Sequence, residues 1–289
     1  MSKLTLLVGP PGSGKSTLAK KYAGAGFVYV NQDSQGKQHL AVFEEALREG
    51  RDIVVDRLNF SKAQRDRYLE PAKAKRYETA IIVLHQPYKV CLERMLKREG
   101  HETINNEDSA RSALGMFFSK YERVQDSEAD TVARHWPDGD KPLAVICDLD
   151  GTLCDIRHRL HHVRRTDGKK KDWKSFFEDL DKDTIHTWCV TVLRGAVQDG
   201  AKVVFCSGRP DNHKKQTKKW LEDHDFIYEP LYMRPRGDSR EDSVIKEIIL
   251  DFELLTRYTP YFFIDDRKRV VDMWRARGFV CLHCAEGDF

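Results

Sequence analysis

The sequence predicts an α/β protein of two doubly wound parallel-sheet domains, and three observations carry that expectation. Short apolar runs alternate with stretches of helical spacing, the pattern of a parallel sheet with helices on both faces. The alternation halts at the turn-rich His135-Trp136-Pro137-Asp138-Gly139-Asp140-Lys141-Pro142 and then starts again. In each half the first apolar run ends in a glycine-bearing turn dense in polar groups. We therefore expect one domain over 1–135, a linker over 136–142 and a second domain over 143–289. A chain of 289 residues, 40% hydrophobic and 33% charged, has the length for two cores and the polarity for a solvated surface.

The first strand is the apolar run from Leu4 to Val8. Behind it comes Gly9-Pro10-Pro11-Gly12-Ser13-Gly14-Lys15-Ser16-Thr17, which reads G-x-x-x-x-G-K-S and leads into a helix. Strand, glycine-rich turn and helix N-terminus together make a phosphate-binding loop. Its glycines let successive backbone N–H groups converge on an anion, and the helix dipole adds to their field. Lys15 would then sit on the β- and γ-phosphates of ATP, and the Ser16 hydroxyl on Mg²⁺. The plain alternative is a glycine-rich turn with a surface lysine.

Next come a strand at Phe27-Val28-Tyr29-Val30, a helix over 38–49, a strand over 52–56 and a helix over 61–74. A strand over 79–84, a helix over 88–98 and a closing helix over 109–124 follow. Ligands in such sheets lie beyond the carboxyl ends of the strands, which is where Asp33 and Asp56 fall. Phosphoryl transfer asks mainly for positioning, charge neutralisation and a base for the attacking hydroxyl. Asp33 is the candidate base; Asp56 supports it, helps place Mg²⁺ or meets the substrate. Either could instead cap a helix. Arg94 and Arg98, four apart on one helix, share a face. They either close over ATP as a lid or form a solvated basic face.

The second half opens with Leu143-Ala144-Val145-Ile146-Cys147 running into Asp148-Leu149-Asp150-Gly151-Thr152. Two carboxylates two residues apart at a strand end surround one small site. Asp148 can attack phosphorus to give a phosphoaspartate, and Asp150 can protonate the leaving oxygen and then activate water. A carboxylate facing a phosphate dianion needs a cation between them. That implies Mg²⁺ held by Asp148, Asp150 and the strand-end pair Asp265-Asp266. Between these lies Val203-Val204-Phe205-Cys206-Ser207-Gly208-Arg209, whose Ser207 can take a phosphate oxygen, and Lys246, which can neutralise the phosphoaspartate. An incidental acidic cluster is the alternative, and the loop lacks the EF-hand ligand pattern.

These pieces resemble the haloacid-dehalogenase (HAD) phosphatase superfamily. A phosphate-loop kinase followed by such a phosphatase, at this length, is similar to the phage-type polynucleotide 5′-kinase/3′-phosphatases. The resemblance extends to Asp238-Ser239-Arg240, to Asp265-Asp266-Arg267 with Val270-Val271 and Met273-Trp274-Arg275, and to Gly287-Asp288-Phe289. It implies a P-loop kinase fold followed by a HAD-like Rossmannoid phosphatase with a small cap insertion. By the same resemblance Asp33 aligns with the kinase base, and Arg94 and Arg98 with lid arginines. Substrate contacts are expected from Asp56, Gly208, Arg209, Arg234 and Arg240. The implied activity is transfer of the ATP γ-phosphate to 5′-hydroxyl polynucleotide ends and removal of 3′-phosphates, leaving ends for a ligase. The family's phage prototype has an arginine before its base where this chain has Gln32. It has another basic residue shortly after, where Gly36 stands beside Lys37, so contacts near the 5′ end differ.

Between Gly151 and Ala201 the chain exceeds a simple strand–helix connection. It carries Arg157, Arg159, Arg164, Arg165 and Lys169-Lys170-Lys171 near Trp173, Phe176 and Phe177. Basic side chains beside aromatics suit a groove that tracks phosphates and stacks bases. The alternative is an amphipathic helix with Trp173 and Phe177 in its core and a solvated lysine turn. His158, His161 and His162 lack a carboxylate or cysteine at matching spacing and are expected to pack the cap or lie on its surface.

Composition excludes several classes. A net charge of +3 is too small to diagnose a nucleic-acid binder. No apolar run approaches the roughly 20 residues of a membrane span, and Met1-Ser2-Lys3 leads straight into the first strand, so no signal peptide is expected. Seven scattered cysteines fit a reducing, cytoplasmic setting. Cys281-Leu282-His283-Cys284 has no partner pair and is expected to bury two thiols. A homo-oligomer stays open. Two rival functions remain: a small-molecule kinase fused to a small-molecule phosphatase, and a nucleotide-gated adaptor with a vestigial phosphatase site. The complete acidic set with Ser207 and Lys246 argues against the second.

Overall fold

The computed structural model describes residues 1–97, 106–164, 170–227 and 230–287. Arg98, Arg165, Lys169 and the pair Asp288-Phe289 lie outside them. The chain divides into two compact units, Met1–Asp138 and Gly139–Phe289. Each is built on a five-stranded sheet whose pairings are all parallel.

The first unit runs β1 (Lys3–Val8), α1 (Lys15–Gly24), β2 (Val28–Asn31), α2 (Gln32–Gln35), α3 (His39–Glu49) and β3 (Ile53–Asp56). It continues with α4 (Lys62–Ala74), β4 (Glu78–Leu84), α5 (Tyr88–Leu96), α6 (Glu107–Lys120) and β5 (Thr131–His135). The strand order is β2-β3-β1-β4-β5. Leu4, Leu6, Leu7 and Val8 of β1 are fully buried, the near-continuous apolar run that a strand covered on both faces requires. Ser61 caps α4 and Asn106 caps α6, each accepting a backbone N–H three residues on.

Sequence spacing placed a closing helix over 109–124 and no fifth strand. In the structure that helix stops at Lys120, and β5 closes the sheet against β4, from Ala80 beside Thr131 to Leu84 beside His135. An edge strand needs one covered face and one neighbour. Thr131-Val132-Ala133-Arg134-His135 therefore carries too few apolar residues to stand out.

The second unit begins with β6 (Leu143–Cys147) and an insertion holding β7 (Cys154–Asp155), α7 (Trp173–Glu178) and β8 (Thr184–Ile185). Then come α8 (Thr187–Gln198), β9 (Lys202–Pro210), α9 (Lys214–Asp223), β10 (Leu231–Arg234) and α10 (Asp242–Ile249). A π-helical turn over Leu250–Leu254 leads to β11 (Thr259–Asp265), α11 (Lys268–Ala276) and β12 (Cys281–His283). The order is β10-β9-β6-β11-β12, with β7 and β8 forming a small antiparallel pair. Alternate residues of β6 and β9 enter opposite cores. Val145, Cys147, Val203 and Phe205 pack with Phe176, Leu193 and Trp220, whereas Ala144, Ile146, Val204 and Cys206 pack with Ile245, Val271 and Trp274. None of the seven cysteines is in a disulfide. Among the described residues no helix is long and apolar enough to cross a membrane.

Candidate active sites

In the first unit the glycine-rich loop joins β1 to α1, and Gly14, at φ 102, caps that helix. Gly12 sits at φ +79, and a Cβ there would stand 2.6 Å from the carbonyl oxygen of Cys91 on α5. Only glycine lets the loop lie this close to its neighbour. Lys15 is buried, and its Nζ donates to the carbonyls of Gly9 at 2.7 Å and Pro10 at 2.8 Å. Arg94 Nη1 donates to the Gly12 carbonyl at 3.3 Å, which lays it across the loop.

A cavity of about 650 Å³ opens beside this loop, with Gly12, Gly14, Lys15, Ser16, Asp33 and Asp56 in its lining. Asp33 is exposed on the single turn of α2. Asn31 ties that turn to the sheet: its Oδ1 accepts from Ser34 N at 2.9 Å, while its Nδ2 donates to Asp56 Oδ2 at 3.0 Å. Tyr29 Oη donates to the same Asp56 oxygen at 2.8 Å. Burial, then the Asp56 carboxylate, push the Tyr29 hydroxyl well up, so it stays a donor. The sequence did not single out Tyr29 or Asn31. Polar residues at alternate positions running into a strand end were the available signal.

The second site gathers on the carboxyl ends of β6, β9 and β11. Carboxylate oxygens of Asp148, Asp265 and Asp266, all buried, lie within 4.8 Å of one another. Lys246 Nζ donates to Asp148 Oδ1 and Asp265 Oδ2, both at 2.8 Å. Burial works against the Lys246 charge, but the two carboxylates outweigh it and hold its pKa well above the usual value. Burial, reinforced by Asp265, pushes Asp266 up to about 7. The buried Asp266 Oδ2 has no hydrogen-bond partner among the described residues. Three converging carboxylates, one with an orphaned oxygen, form the donor set a hard divalent cation takes.

Asp150, expected among the metal residues, is not one of the three converging carboxylates, and its side chain is held by two arginines. Arg209 Nε donates to both of its oxygens at 3.0 Å, and Arg159 Nη2 donates to Oδ1. Behind the two guanidiniums lies the fully buried Asp183 side chain. It accepts from Arg159 Nε at 2.7 Å and Nη2 at 2.6 Å, and from Arg209 Nη2 at 2.9 Å. Burial alone would raise Asp150, but Arg209 and Arg159 overcome it and hold the carboxyl well below the usual range. Arg209, expected to contact substrate, is fully buried in this clamp, and Arg159 is fully buried too and not part of a basic cap surface.

Ser207 is buried, its Oγ accepting from Arg209 N at 3.3 Å. A Cβ at Gly208 would fall on the Asp242 carboxylate, so the strand end packs directly against the start of α10. Asp242 accepts from Arg234 Nη2 and Arg267 Nη1, each at 3.3 Å. Arg234 also donates to the carbonyls of Gly208 at 2.9 Å and Arg240 at 2.6 Å, while Arg240 pairs with Asp238 at 2.5 Å. Gly208, Arg234, Asp238, Arg240, Asp242 and Arg267, with Asp148 and Asp150, line a cavity of about 400 Å³. The sequence did not single out Asp183 or Asp242. Asp242 could have been found, four residues before Lys246 on one helix face; Asp183 sits in the insertion with no local signal. His158 Nε2 and His162 Nε2 approach Asp183 and Asp179 at 3.7 and 3.5 Å, partners that spacing along the chain hid.

Comparison with known proteins follows the same division. Residues 4–122 match an AAA domain. A protein of Autographa californica nuclear polyhedrosis virus, whose name proposes a bifunctional polynucleotide kinase/RNA ligase, is 26% identical over 306 residues. That match covers 94% of this chain and 41% of the relative. An Acanthamoeba polyphaga mimivirus protein, whose name proposes a bifunctional polynucleotide phosphatase/kinase, is 33% identical over 89 residues. It covers 29% of this chain and 21% of that relative. A chain in the structure of the Pnkp1/Rnl/Hen1 RNA repair complex is 26% identical with a TM-score of 0.44, covering 100% of this chain and 97% of that one. The chain thus spans less than half the length of either viral relative. Residues 142–289 match the family described as the polynucleotide kinase PNKP phosphatase domain, and by that match, over half its length, the chain belongs to this family.

Proposed function

We propose that the chain heals polynucleotide ends: its first unit moves the γ-phosphate of ATP to a 5′-hydroxyl, and its second removes a 3′-phosphate. The observation that carries this is the Asp148, Lys246, Asp265 and Asp266 cluster at strand ends, within a domain of the polynucleotide kinase phosphatase family. The AAA-domain match and the phosphate loop inside it imply nucleotide use, and the acidic cluster implies a metal.

In the first unit the loop amides and Lys15 hold the nucleotide phosphates, and Arg94 closes over them. Asp33 takes the proton of the attacking 5′-hydroxyl, while Asp56, fixed by Tyr29 and Asn31, holds the strand end beside it. In the second unit Asp148 attacks phosphorus and Lys246 offsets the charge of the resulting phosphoaspartate. Mg²⁺ held by Asp148, Asp265 and Asp266 would supply the counter-charge that lets a carboxylate approach a phosphate dianion. Asp150 is kept ionised by two guanidiniums, which suits it to take a proton from the water that hydrolyses the intermediate. In the first half-reaction the 3′-oxygen displaced by Asp148 leaves with a proton that Asp150 has taken from solvent. The Asp150 carboxylate so formed is the one that deprotonates the water, which cleaves the phosphoaspartate and frees Asp148. The products, 5′-phosphate and 3′-hydroxyl, are the ends a ligase joins.

The test is incubation with labelled ATP, Mg²⁺ and either a 5′-hydroxyl oligonucleotide or free nucleosides. Label on the oligonucleotide in strong preference to nucleosides is the expected result. The reverse preference would establish the small-molecule alternative.

A further inference from the structure

We propose that Trp173 is the wall on which the nucleobase of a 3′-phosphorylated terminal nucleotide stacks while its phosphate meets Asp148. The inference rests on the phosphatase reading above and adds to it a subsite for the base. Trp173 lines the same 400 Å³ cavity as Asp148 and Asp150, yet 39% of its surface is open. Trp188 and Tyr261 are exposed to a similar degree, at 42% and 49%, and neither is in that lining. A large ring left open inside a charged cavity is the informative kind of exposure.

The ring is held, not loose. It meets Phe176 edge-on at 5.6 Å between centroids and stacks at 22° on Phe177 at 5.9 Å, with Lys171 Nζ 5.6 Å over its face. Phe176 is buried beneath it, and the Arg159 guanidinium lies 4.1 Å over the Phe176 ring and donates to its carbonyl at 3.2 Å. That is the same guanidinium that pairs with Asp150. One arginine therefore ties the aromatic wall to Asp150.

Across the lining from the aromatics stand Arg234, Arg240, Arg267 and Arg269, each paired with Asp238, Glu241 or Asp242, a charged side that suits a phosphate, while Trp173, Phe176 and Phe177 form the aromatic side that suits a base. Stacking on an aromatic face works with every base, so this subsite would hold a terminal nucleotide without reading its identity. Trp173 is also not a core residue of the insertion, since 39% of its surface is exposed.

Two oligonucleotides test it, one with a normal 3′-phosphorylated terminal nucleotide and one whose 3′-phosphorylated terminal residue is abasic. Wild-type protein should show a KM about tenfold higher for the abasic end, equal to about 1.4 kcal/mol, within the usual range for one stacked base. Trp173→Ala should raise KM about tenfold for the normal end, keep kcat and leave the abasic end unchanged. Trp173→Phe should recover most of the loss. Retained kinase activity in both variants reports a folded chain. A Trp173→Ala protein that still discriminates tenfold between the two ends would overturn the subsite while leaving the phosphatase intact. Absence of phosphate release from either oligonucleotide in wild type would overturn the phosphatase reading, and this inference with it.

Discussion

Around the first unit's cavity, the groups proposed to take phosphate are loop amides, Lys15 and Ser16, all within one short run of sequence, and Asp33 stands exposed at the rim. Around the second unit's acidic cluster, the partners come from far apart: Lys246 and Asp148 are 98 positions distant, Arg209 and Asp150 are 59. The first site is a feature of backbone shape, stabilised by a helix dipole and open to solvent. The second is a set of buried charges that only the finished fold brings together, and each charge there depends on its partners against the cost of desolvation. Substitution should therefore act differently at the two: on rate alone at the exposed Asp33 of the first, on rate or on stability among the buried charges of the second.

The largest effects come from the groups that do chemistry. Asp148→Asn should lower 3′-phosphate release by about 10⁴-fold or more, since no other nucleophile replaces it. Phosphate assays and kinase assays on the same sample check this, and the kinase rate should hold within about twofold. Lys15→Ala should lower 5′-phosphorylation by about 10³-fold through loss of fixed counter-charge. Asp33→Ala should cost about 10²-fold or more as loss of a general base. Asp33→Ala should not shift the thermal unfolding of the first unit downward, whereas Lys15→Ala, which leaves the Gly9 and Pro10 carbonyls without that donor, should lower it by a few degrees. A large drop in stability for Asp33→Ala would break the contrast between an open and a buried site.

Asp183→Ala sharpens the contrast from the other side. It leaves Arg159 and Arg209 with one carboxylate between them in a fully buried setting. A loss of about 3–5 kcal/mol in the second unit's stability is expected, measured by denaturant unfolding, with kinase activity retained. A change under about 1 kcal/mol would mean the clamp is held by packing instead.

A smaller effect concerns pH. Asp266 has its folded-state pKa raised to about 7, above the ordinary carboxylate value. Its protonated form therefore adds stability at low pH, and that contribution is lost as pH rises through about 7. Without divalent cation, the second unit should melt roughly 3 °C lower at pH 8 than at pH 6. Saturating Mg²⁺ at pH 8 should raise the melting point, because the cation binds only the folded cluster. A melting point that ignores Mg²⁺ at pH 8 would count against metal binding at Asp148, Asp265 and Asp266.

Legibility in the sequence follows the same divide. The glycine-rich loop could be read because its ligands are contiguous, and the order of strands and helices because crossover connections force a parallel sheet. Asp148, Asp265 and Lys246 were found through motifs, but the direction in which Asp150 points was not, since it depends on Arg159 and Arg209 arriving from other elements. Arg159 looked like part of a basic cap because its neighbours in sequence are basic; in space it faces two carboxylates. β5 escaped notice for a related reason: as an edge strand, half exposed, it needs little apolar content. What the chain alone conceals is whatever long-range packing decides.

The central claim is that one chain carries two separate phosphate chemistries, and a single oligonucleotide bearing a 5′-hydroxyl and a 3′-phosphate tests it most directly. With ATP and Mg²⁺, wild-type protein should convert it to the 5′-phosphate, 3′-hydroxyl form. Asp148→Asn should give 5′-phosphate with the 3′-phosphate kept, and Lys15→Ala should give a 3′-hydroxyl with the 5′-hydroxyl kept. Loss of both reactions in either variant, or conversion of neither end by the wild type, would contradict the account.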